Sequence, residues 1–368
     1  MAAAEVAIQQ NTAGGGAAGS VTRADASSVA KGRARWWRRR GSKRAGFWYE
    51  THDGGRVTDA EALERIRTLA VPPAWQDVLI SPRPKSALQA IGIDAAGRVQ
   101  RVYHTAFAAR RQRRKYEKIV RFGERLPALR QRANEDIARP DLSRERVLAV
   151  VVSLINELYF RVGSEESVRR YRTYGVTTLR SRHLEIKRGG QLVFSFTGKH
   201  HIRHRRILAD TELASLMQEI RSLKGGRLFK YVAEDGRVRA ITPRDVNDYI
   251  KQSLGPEFSA KDFRTWGGTI LAAIELAELG ASGDERAAKS NVLRAVRKVA
   301  EHLGNTPAVC RSCYVHPAVI ESYLKGTTIE EFRPRRERRL HQRQHPEYDP
   351  EELALLKLLR AHTNGNAS

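Results

Sequence analysis

The sequence predicts an α+β protein, with a small β-rich N-terminal domain followed by a larger, mostly helical domain that carries a β-hairpin. Three observations lead there. Between residues 46 and 104, short apolar or alternating runs are separated by turn residues, the period-two pattern of strands. From about residue 105 onward, apolar residues recur at helical spacing in segment after segment. Inside that helical stretch, "GVTTLRSRHLEIK" and "QLVFSFTGKHH" read as strands joined through "RGG", a hairpin turn.

Residues 1–45 read as a basic disordered tail. An Ala/Gly/Ser-rich start gives way to "KGRARWWRRRGSKR", a run whose charge density opposes burial and suits loose contact with a polyanion. In the β-rich domain, 46–104, "DVLISP", "SALQAIGID" and "RVQRVYH" are strand-like, and "DAAGR" joins the last two as a hairpin. The helical domain, 105–325, opens on the basic stretch "FAARRQRRKYEKIVRFGERL". Ser143 stands at the N-cap of "RERVLAVVVSLINELYFRVG", in which Val147, Val150, Val151, Leu154, Ile155 and Leu158 fall on one face. That helix is expected to end near Gly163, leaving Arg161 in its last turn. "TILAAIELAEL" and "DERAAKSNVLRAVRKVAEHLG" read as helices, the second stopped by Gly304, and "HPAVIESYLKG" as a short one. Residues 326–368 read as a charged C-terminal tail with one short amphipathic helix.

Composition bounds the partner. A chain of 368 residues suggests two or three domains, and 41% hydrophobic residues suffice for real cores. Sixty-six Lys and Arg against 41 Asp and Glu leave a net charge of +25. Such a field attracts polyanions, and nucleic acid leads because neutralising phosphates releases condensed counterions. There is no run of about 20 apolar residues to span a membrane, and "MAAAEVAIQQNTAGGG" lacks the apolar centre of a secretory signal. The two cysteines, Cys310 and Cys313, form a CxxC near His302 and His316. The wider spacing is not that of a zinc site, and no βαβ context supports a redox pair, so no metal is expected and the thiols read as incidental.

"LGNTPAVCRSCYVHP", residues 303–317, sets the chemical question, because Tyr314 there is either packing or a nucleophile. A phenol, with a pKa near 10, is a weak nucleophile at neutral pH. It can attack a phosphodiester where fixed cations hold the non-bridging oxygens and an acid protonates the leaving oxygen. "YFRVG" offers Arg161, "FTGKHH" offers Lys199 at a tight turn, and "KDFRTWGGT" offers Arg264 just ahead of a helix with Lys261 one turn earlier. "LGNTP" offers Asn305. Singly, each has an ordinary role: an arginine at a helix end answers the helix dipole, and an Asn after Gly304 ends a helix. "TGKHH" is not a phosphate-cradling P-loop, since Val193 stands where the first glycine belongs and His200 replaces Ser or Thr.

Together and in this order, these blocks resemble the bacterial and poxviral type IB DNA topoisomerases, over roughly residues 45–325. "VPPAWQDVLISP" and "ALQAIGIDAAGRVQRVYH" are similar to that family's N-terminal domain. "LYFRVGSEES", "TYGVTTLRSRHLEI", "FSFTGKHH", "AKDFRTWGGTILAA" and "LGNTPAVCRSCYVHP" are similar to its catalytic blocks. The resemblance implies that Tyr314 forms a 3′-phosphotyrosyl bond, that Arg161 and Arg264 clamp the scissile phosphate, and that Lys199 protonates the 5′-oxygen. Asn305 stands where poxviral members carry histidine and bacterial members asparagine; its amide can donate to a phosphate oxygen but carries no charge. Lys261 is a candidate DNA contact. The implied enzyme relaxes supercoiled double-stranded DNA without ATP or an essential Mg²⁺, as a cytoplasmic, nucleoid-associated monomer with its N-terminal domain closing a clamp. Two rivals are a tyrosine recombinase, which typically has histidine where this chain has Lys261, and a non-enzymatic basic DNA-binding protein, in which Tyr314 would be dispensable.

Overall fold

The computed structural model describes residues 26–332 and 348–365. The chain divides into two units, residues 1–115 and 116–368, and each is taken by itself.

The first unit is an antiparallel sheet of five strands: β1 (Trp37–Ser42), β2 (Gly46–Glu50), β3 (Gln76–Ile80), β4 (Leu88–Ile93) and β5 (Val99–Tyr103), in the order β2-β1-β3-β4-β5. Strand alternation sorts its side chains. Val78, Ile80, Ala90 and Val102 face one way, against Ile66 and Leu69 in and beside helix α2 (Ala60–Thr68). Leu79, Ile91 and Ile93 face the other, against Val29 of α1 (Ala26–Ala30). The three strands read from sequence, and the hairpin at "DAAGR", are where they were expected.

The basic tail expected over 1–45 is corrected in part. Residues 1–25 lie outside the described residues, but Trp37–Ser42 is a paired strand, with Arg38 opposite Glu50 and Trp37 opposite Ile80. The period-two signal is hidden by arginine. Trp37 packs on the core, while Arg39, two residues on, stacks 4.3 Å from the Phe47 ring centre and donates to the carbonyls of Pro72 and Trp75. Arg38 and Arg40 face solvent.

Helix α3 (Thr105–Ile137) starts at the expected place, yet its first turns belong to the first unit. Phe107 stacks on Tyr103, and the Arg111 guanidinium lies over the Tyr103 ring.

The second unit is built around α4 (Arg144–Leu158) and α8 (Ala260–Leu279), both buried on nearly every side, as expected for central helices. Around them lie α5 (Glu165–Tyr171), α6 (Thr211–Ser222), α7 (Pro243–Leu254), α9 (Glu285–Leu303), α10 (Pro307–Cys313), α11 (Pro317–Leu324) and α12 (Pro350–Gly365). A three-stranded antiparallel sheet, β6 (Leu184–Lys187), β7 (Gln191–Thr197) and β8 (Arg203–Ala209), and a two-stranded one, β9 (Lys230–Val232) with β10 (Val238–Ala240), complete it. No helix among the described residues is long and apolar enough to cross a membrane.

Three local readings are corrected. Helix α4 stops at Leu158, because Tyr159 takes a left-handed conformation (φ 53°). Arg161 therefore lies beyond the helix, in extended chain whose carbonyl accepts from Val176 N. "GVTTLRSRH" forms two 3₁₀ turns and only "LEIK" is strand, since Thr178 and His183 turn their side chains back onto the backbone. Arg264 is within α8 and not ahead of it, because Ser259 and Asp262 cap the helix earlier. Ser143 does occupy an N-cap position, without a side-chain cap bond.

The C-terminal tail expected over 326–368 is not all tail. Residues 333–347 and 366–368 lie outside the described residues, but α12 buries Ala354, Leu355, Leu356, Leu358 and Leu359 in the core. Its Glu352 accepts from Arg130 through both oxygens (2.6 and 2.8 Å) and from Trp266 Nε1 at 3.0 Å.

Candidate active site

The site forms at the C-terminal end of α9. The last carbonyls of any helix lack intrahelical partners and carry the negative end of its dipole. Here three successive ones accept from three arginines of three different elements. Arg206, on β8, donates to His302 O. Arg264, on α8, donates to Leu303 O at 2.6 Å. Arg161, after α4, donates to Gly304 O at 3.0 Å and to the side-chain oxygen of Asn305. Gly304 ends α9 in the left-handed region (φ 60°), which turns the chain so that Asn305 follows directly beneath Arg161.

Arg264 is the most enclosed of the three, 5% exposed. Its other terminal nitrogen donates to Tyr159 O at 2.6 Å, the carbonyl at the strained left-handed residue that stops α4. The guanidinium lies 5.3 Å from the ring centre of Tyr314. Burial lowers the pKa of all three arginines, and the neighbouring guanidiniums add to that effect for Arg161 and Arg206. Arg161 is brought down to about 10, and a negative Tyr314 would oppose the fall. Among the described residues no carboxylate pairs with any of them. Three clustered cations that rest on neutral dipoles and a phenol ring carry an excess of positive charge that an anion would balance.

Tyr314 follows α10, and its amide donates to Cys310 O at 2.8 Å. It is half-buried. Gly268 makes room for it: a Cβ there would lie 2.8 Å from Tyr314 O and 3.0 Å from Tyr314 Cβ. The Nδ2 of Asn305 and the Nε of Arg264 are buried donors with no well-formed hydrogen bond among the described residues; the nearest groups are the weakly accepting Cys310 thiol for Asn305 and the Tyr314 phenol for Arg264, so both donors can turn to a ligand. Cys310, beside them, is buried and its thiol pushed up to about 11.

Lys199 stands exposed in the β7–β8 turn, where Gly198 N donates to Ile202 O at 2.8 Å. The next two residues, His200 and His201, are both left-handed (φ 63° and 57°), a strain of roughly 1–3 kcal/mol each held beside the lysine. Gly198 borders a cavity of about 10 Å³, the scale of one water, with Arg161, Arg206 and Arg264 on its other walls. His200 is depressed by burial, by Lys199 and by Arg161, which sets the turn within electrostatic reach of the clamp. The His204 ring wedges between turn and helix end. A Cβ on Gly198 or on Gly304 would each lie 2.6 Å from it. Burial among Arg206, Arg161 and Arg264 brings His204 down to about 4, so it is neutral at pH 7.

Tyr314, Arg161, Arg264 and Asn305 are thus brought together, with the Lys199 turn at their edge. Lys261 is exposed on the first turn of α8, next in sequence to the buried Asp262, which pairs with Lys118 at 2.8 Å. No described contact ties it to the other five. Arg206 and His204 were missed. Their signal was the alternation in "RHRRILA", which turns His204, Arg206 and Leu208 away from exposed Arg203, Arg205 and Ile207. On the outer side of the same hairpin, a groove of about 690 Å³ is lined by Arg172, Arg182, Arg203 and Arg205 with Tyr174, and no carboxylate pairs with these four arginines among the described residues. No group of three or more His, Cys, Asp or Glu there is arranged to hold a metal ion.

Comparison with known proteins bears on both units. The family model described as "Eukaryotic DNA topoisomerase I, catalytic core" matches residues 104–341, and that described as "Bacterial DNA topoisomerase IB, N-terminal domain" matches residues 46–94. A relative from Acanthamoeba polyphaga mimivirus, "DNA topoisomerase 1B", is 30% identical over 284 residues, 75% of this chain and 84% of the relative. "DNA topoisomerase 1B" of vaccinia virus (strain Copenhagen) is 21% identical over 295 residues, 74% of this chain and 88% of the relative. "DNA topoisomerase 1" of Daucus carota is 31% identical over 160 residues, 43% of this chain and 19% of that longer protein.

Proposed function

The chain belongs to the type IB DNA topoisomerase family, and from that premise we propose that it relaxes supercoiled double-stranded DNA through a transient 3′-phosphotyrosyl bond at Tyr314. The observation that carries this reading is the set of arginines on the end of α9, cations without carboxylates and with a phenol against Arg264. A phosphodiester brings the missing negative charge.

In this reading the scissile phosphate replaces no protein anion; it adds one. Arg161 and Arg264 hold its non-bridging oxygens, and Asn305 donates its unpartnered Nδ2 to one of them. The phenolic oxygen attacks phosphorus as its proton passes to solvent water, the P–O5′ bond breaks, and the Lys199 ammonium gives a proton to the departing 5′-oxygen. One phosphodiester is exchanged for another, so the reverse step rejoins the strand without ATP. While the strand is open, the duplex turns about its intact partner. The guanidiniums supply the charge neutralisation a metal would otherwise provide, so Mg²⁺ is not essential. The arginine-lined groove beside β8 is suited to flanking phosphates, which position a duplex without reading its sequence.

The test is purified protein with negatively and positively supercoiled plasmid in EDTA without ATP. Both topologies relax in this account. Folded, DNA-binding protein that relaxes neither would contradict it, and strict dependence of cleavage on Mg²⁺ would assign the chemistry to a metal instead.

A further inference from the structure

We propose that Tyr116, on α3, is a positioning residue that holds the nucleophile segment in register with the phosphate clamp. The inference rests on the function proposed above. Tyr116 is 5% exposed, and its hydroxyl lies 3.2 Å from Ser312 O and 3.0 Å from Val315 O, the carbonyls that bracket Cys313 and Tyr314. Its single hydrogen is therefore shared between the two acceptors. The ring packs against His316, with centroids 4.7 Å apart.

A second hydroxyl holds the same segment from α8. Thr269, fully buried, gives its one hydrogen mainly to Thr265 O at 2.7 Å, with Tyr314 O a longer second acceptor at 3.2 Å, and it accepts from His316 N at 3.1 Å, which is the bond that holds the segment. Thr269 stands five residues after Arg264, so this hold fixes the nucleophile relative to the clamp arginine on one rigid helix. Tyr116 closes the segment from the other flank. Two residues further along α3, Lys118 pairs with Asp262 at 2.8 Å, at the start of the helix that carries Arg264. Thus α3 touches both the clamp helix and the nucleophile segment, and the Tyr116 hydroxyl reaches the latter at carbonyls on both sides of Tyr314.

Attack on phosphorus demands a defined oxygen–phosphorus line, and small misplacements of a reacting group lower rates by roughly 10- to 100-fold. Tyr116→Phe keeps the ring and the His316 contact and removes the hydroxyl. Single-turnover cleavage at saturating DNA is expected to fall by about 10- to 100-fold, with duplex affinity within about twofold of wild type. The defect persists on a duplex carrying a 5′-bridging sulfur, whose leaving group needs no proton, because Tyr116 acts on the attacking side. Tyr249→Phe is the matched control. It also loses a buried phenol hydrogen bond, to Asp136 at 2.8 Å, away from the site, and cleaves at the wild-type rate. Tyr116→4-aminophenylalanine, with two N–H groups for the two carbonyls, restores cleavage and keeps the test open should the Phe variant not fold. Wild-type cleavage by Tyr116→Phe, or no recovery by the amino variant, would overturn the inference. Failure of the wild type to cleave would instead sink the proposed function.

Discussion

Arg264 lies 5.3 Å from the ring centre of Tyr314 while donating, at 2.6 Å each, to the carbonyls of Tyr159 and Leu303. One buried cation thus ties the end of α4, the end of α9 and the candidate nucleophile into one unit. The planar fork of guanidinium allows this; a lysine ammonium on a flexible stem has neither the span nor the stacking face. Arg264→Lys is therefore expected to behave like Arg264→Ala, with single-turnover cleavage down by roughly 10²–10³-fold. Cleavage by the lysine variant near the wild-type rate would show that charge alone suffices.

His204 acts as a spacer between the Lys199 turn and the end of α9. Gly198 has an ordinary φ of −95°, so alanine there meets no backbone penalty, only the His204 ring at 2.6 Å. Gly198→Ala is expected to destabilise by about 1–3 kcal/mol through overpacking and to slow cleavage. Gly198→Ala/His204→Ala should recover much of the stability, because the clash is gone. A double variant no more stable than the glycine replacement alone would contradict the spacer role, as read by thermal melting.

Three histidines make stability pH-dependent. His183, His204 and His302 are each brought down to about 4, chiefly by burial and then by adjacent arginines. Unfolded histidine titrates at about 6.5. The unfolded chain therefore takes up protons first as pH falls. The contribution of the neutral rings is fully present above about pH 6.5 and drains away as pH falls toward about 4. For His183 the reason is visible, since its Nδ1 accepts from Arg180 N at 3.0 Å and a protonated ring could not. Melting temperature should drop steadily from pH 7 to pH 5, and His183→Asn should lessen that slope. A flat profile over this range would contradict the assignment.

Glu352 is 6% exposed, and it binds Arg130 and Trp266 from a helix that sequence had left within a tail. Glu352→Ala removes both charge-assisted hydrogen bonds that the enclosed Arg130 makes to this carboxylate and is expected to destabilise by about 3–5 kcal/mol. Arg130→Met/Glu352→Leu should be milder than either single loss. Denaturant unfolding checks both, and a single variant within about 0.5 kcal/mol of wild type would show the Glu352 contacts to be dispensable.

These cases also show what was legible beforehand. Strands β3 to β5, the "RGG" hairpin, the stop at Gly304 and the helix at "HPAVIESYLK" follow from local periodicity and turn chemistry, which short windows carry. Strand β1 did not, because Arg38, Arg39 and Arg40 look alike in sequence while only Arg39 turns inward onto carbonyls. The stop of α4 at Tyr159 was hidden for a similar reason: a left-handed tyrosine is held by tertiary contacts, not by its own preference. Arg161, Lys199, Arg264, Asn305 and Tyr314 could be singled out from motifs and order. That the arginines converge on three consecutive helix carbonyls, and that Arg206 joins them, is a property of packing that spacing cannot express.

The central claim is that the Tyr314 hydroxyl carries the chemistry while the surrounding cations carry the binding. The most direct measurement compares wild type with Tyr314→Phe on an end-labelled duplex, quenched with denaturant and paired with an affinity measurement on the same DNA. The account predicts protein covalently joined to a DNA 3′ end for wild type only, with affinity unchanged in the variant. A covalent adduct formed equally by Tyr314→Phe, or its absence from active wild type, would contradict it.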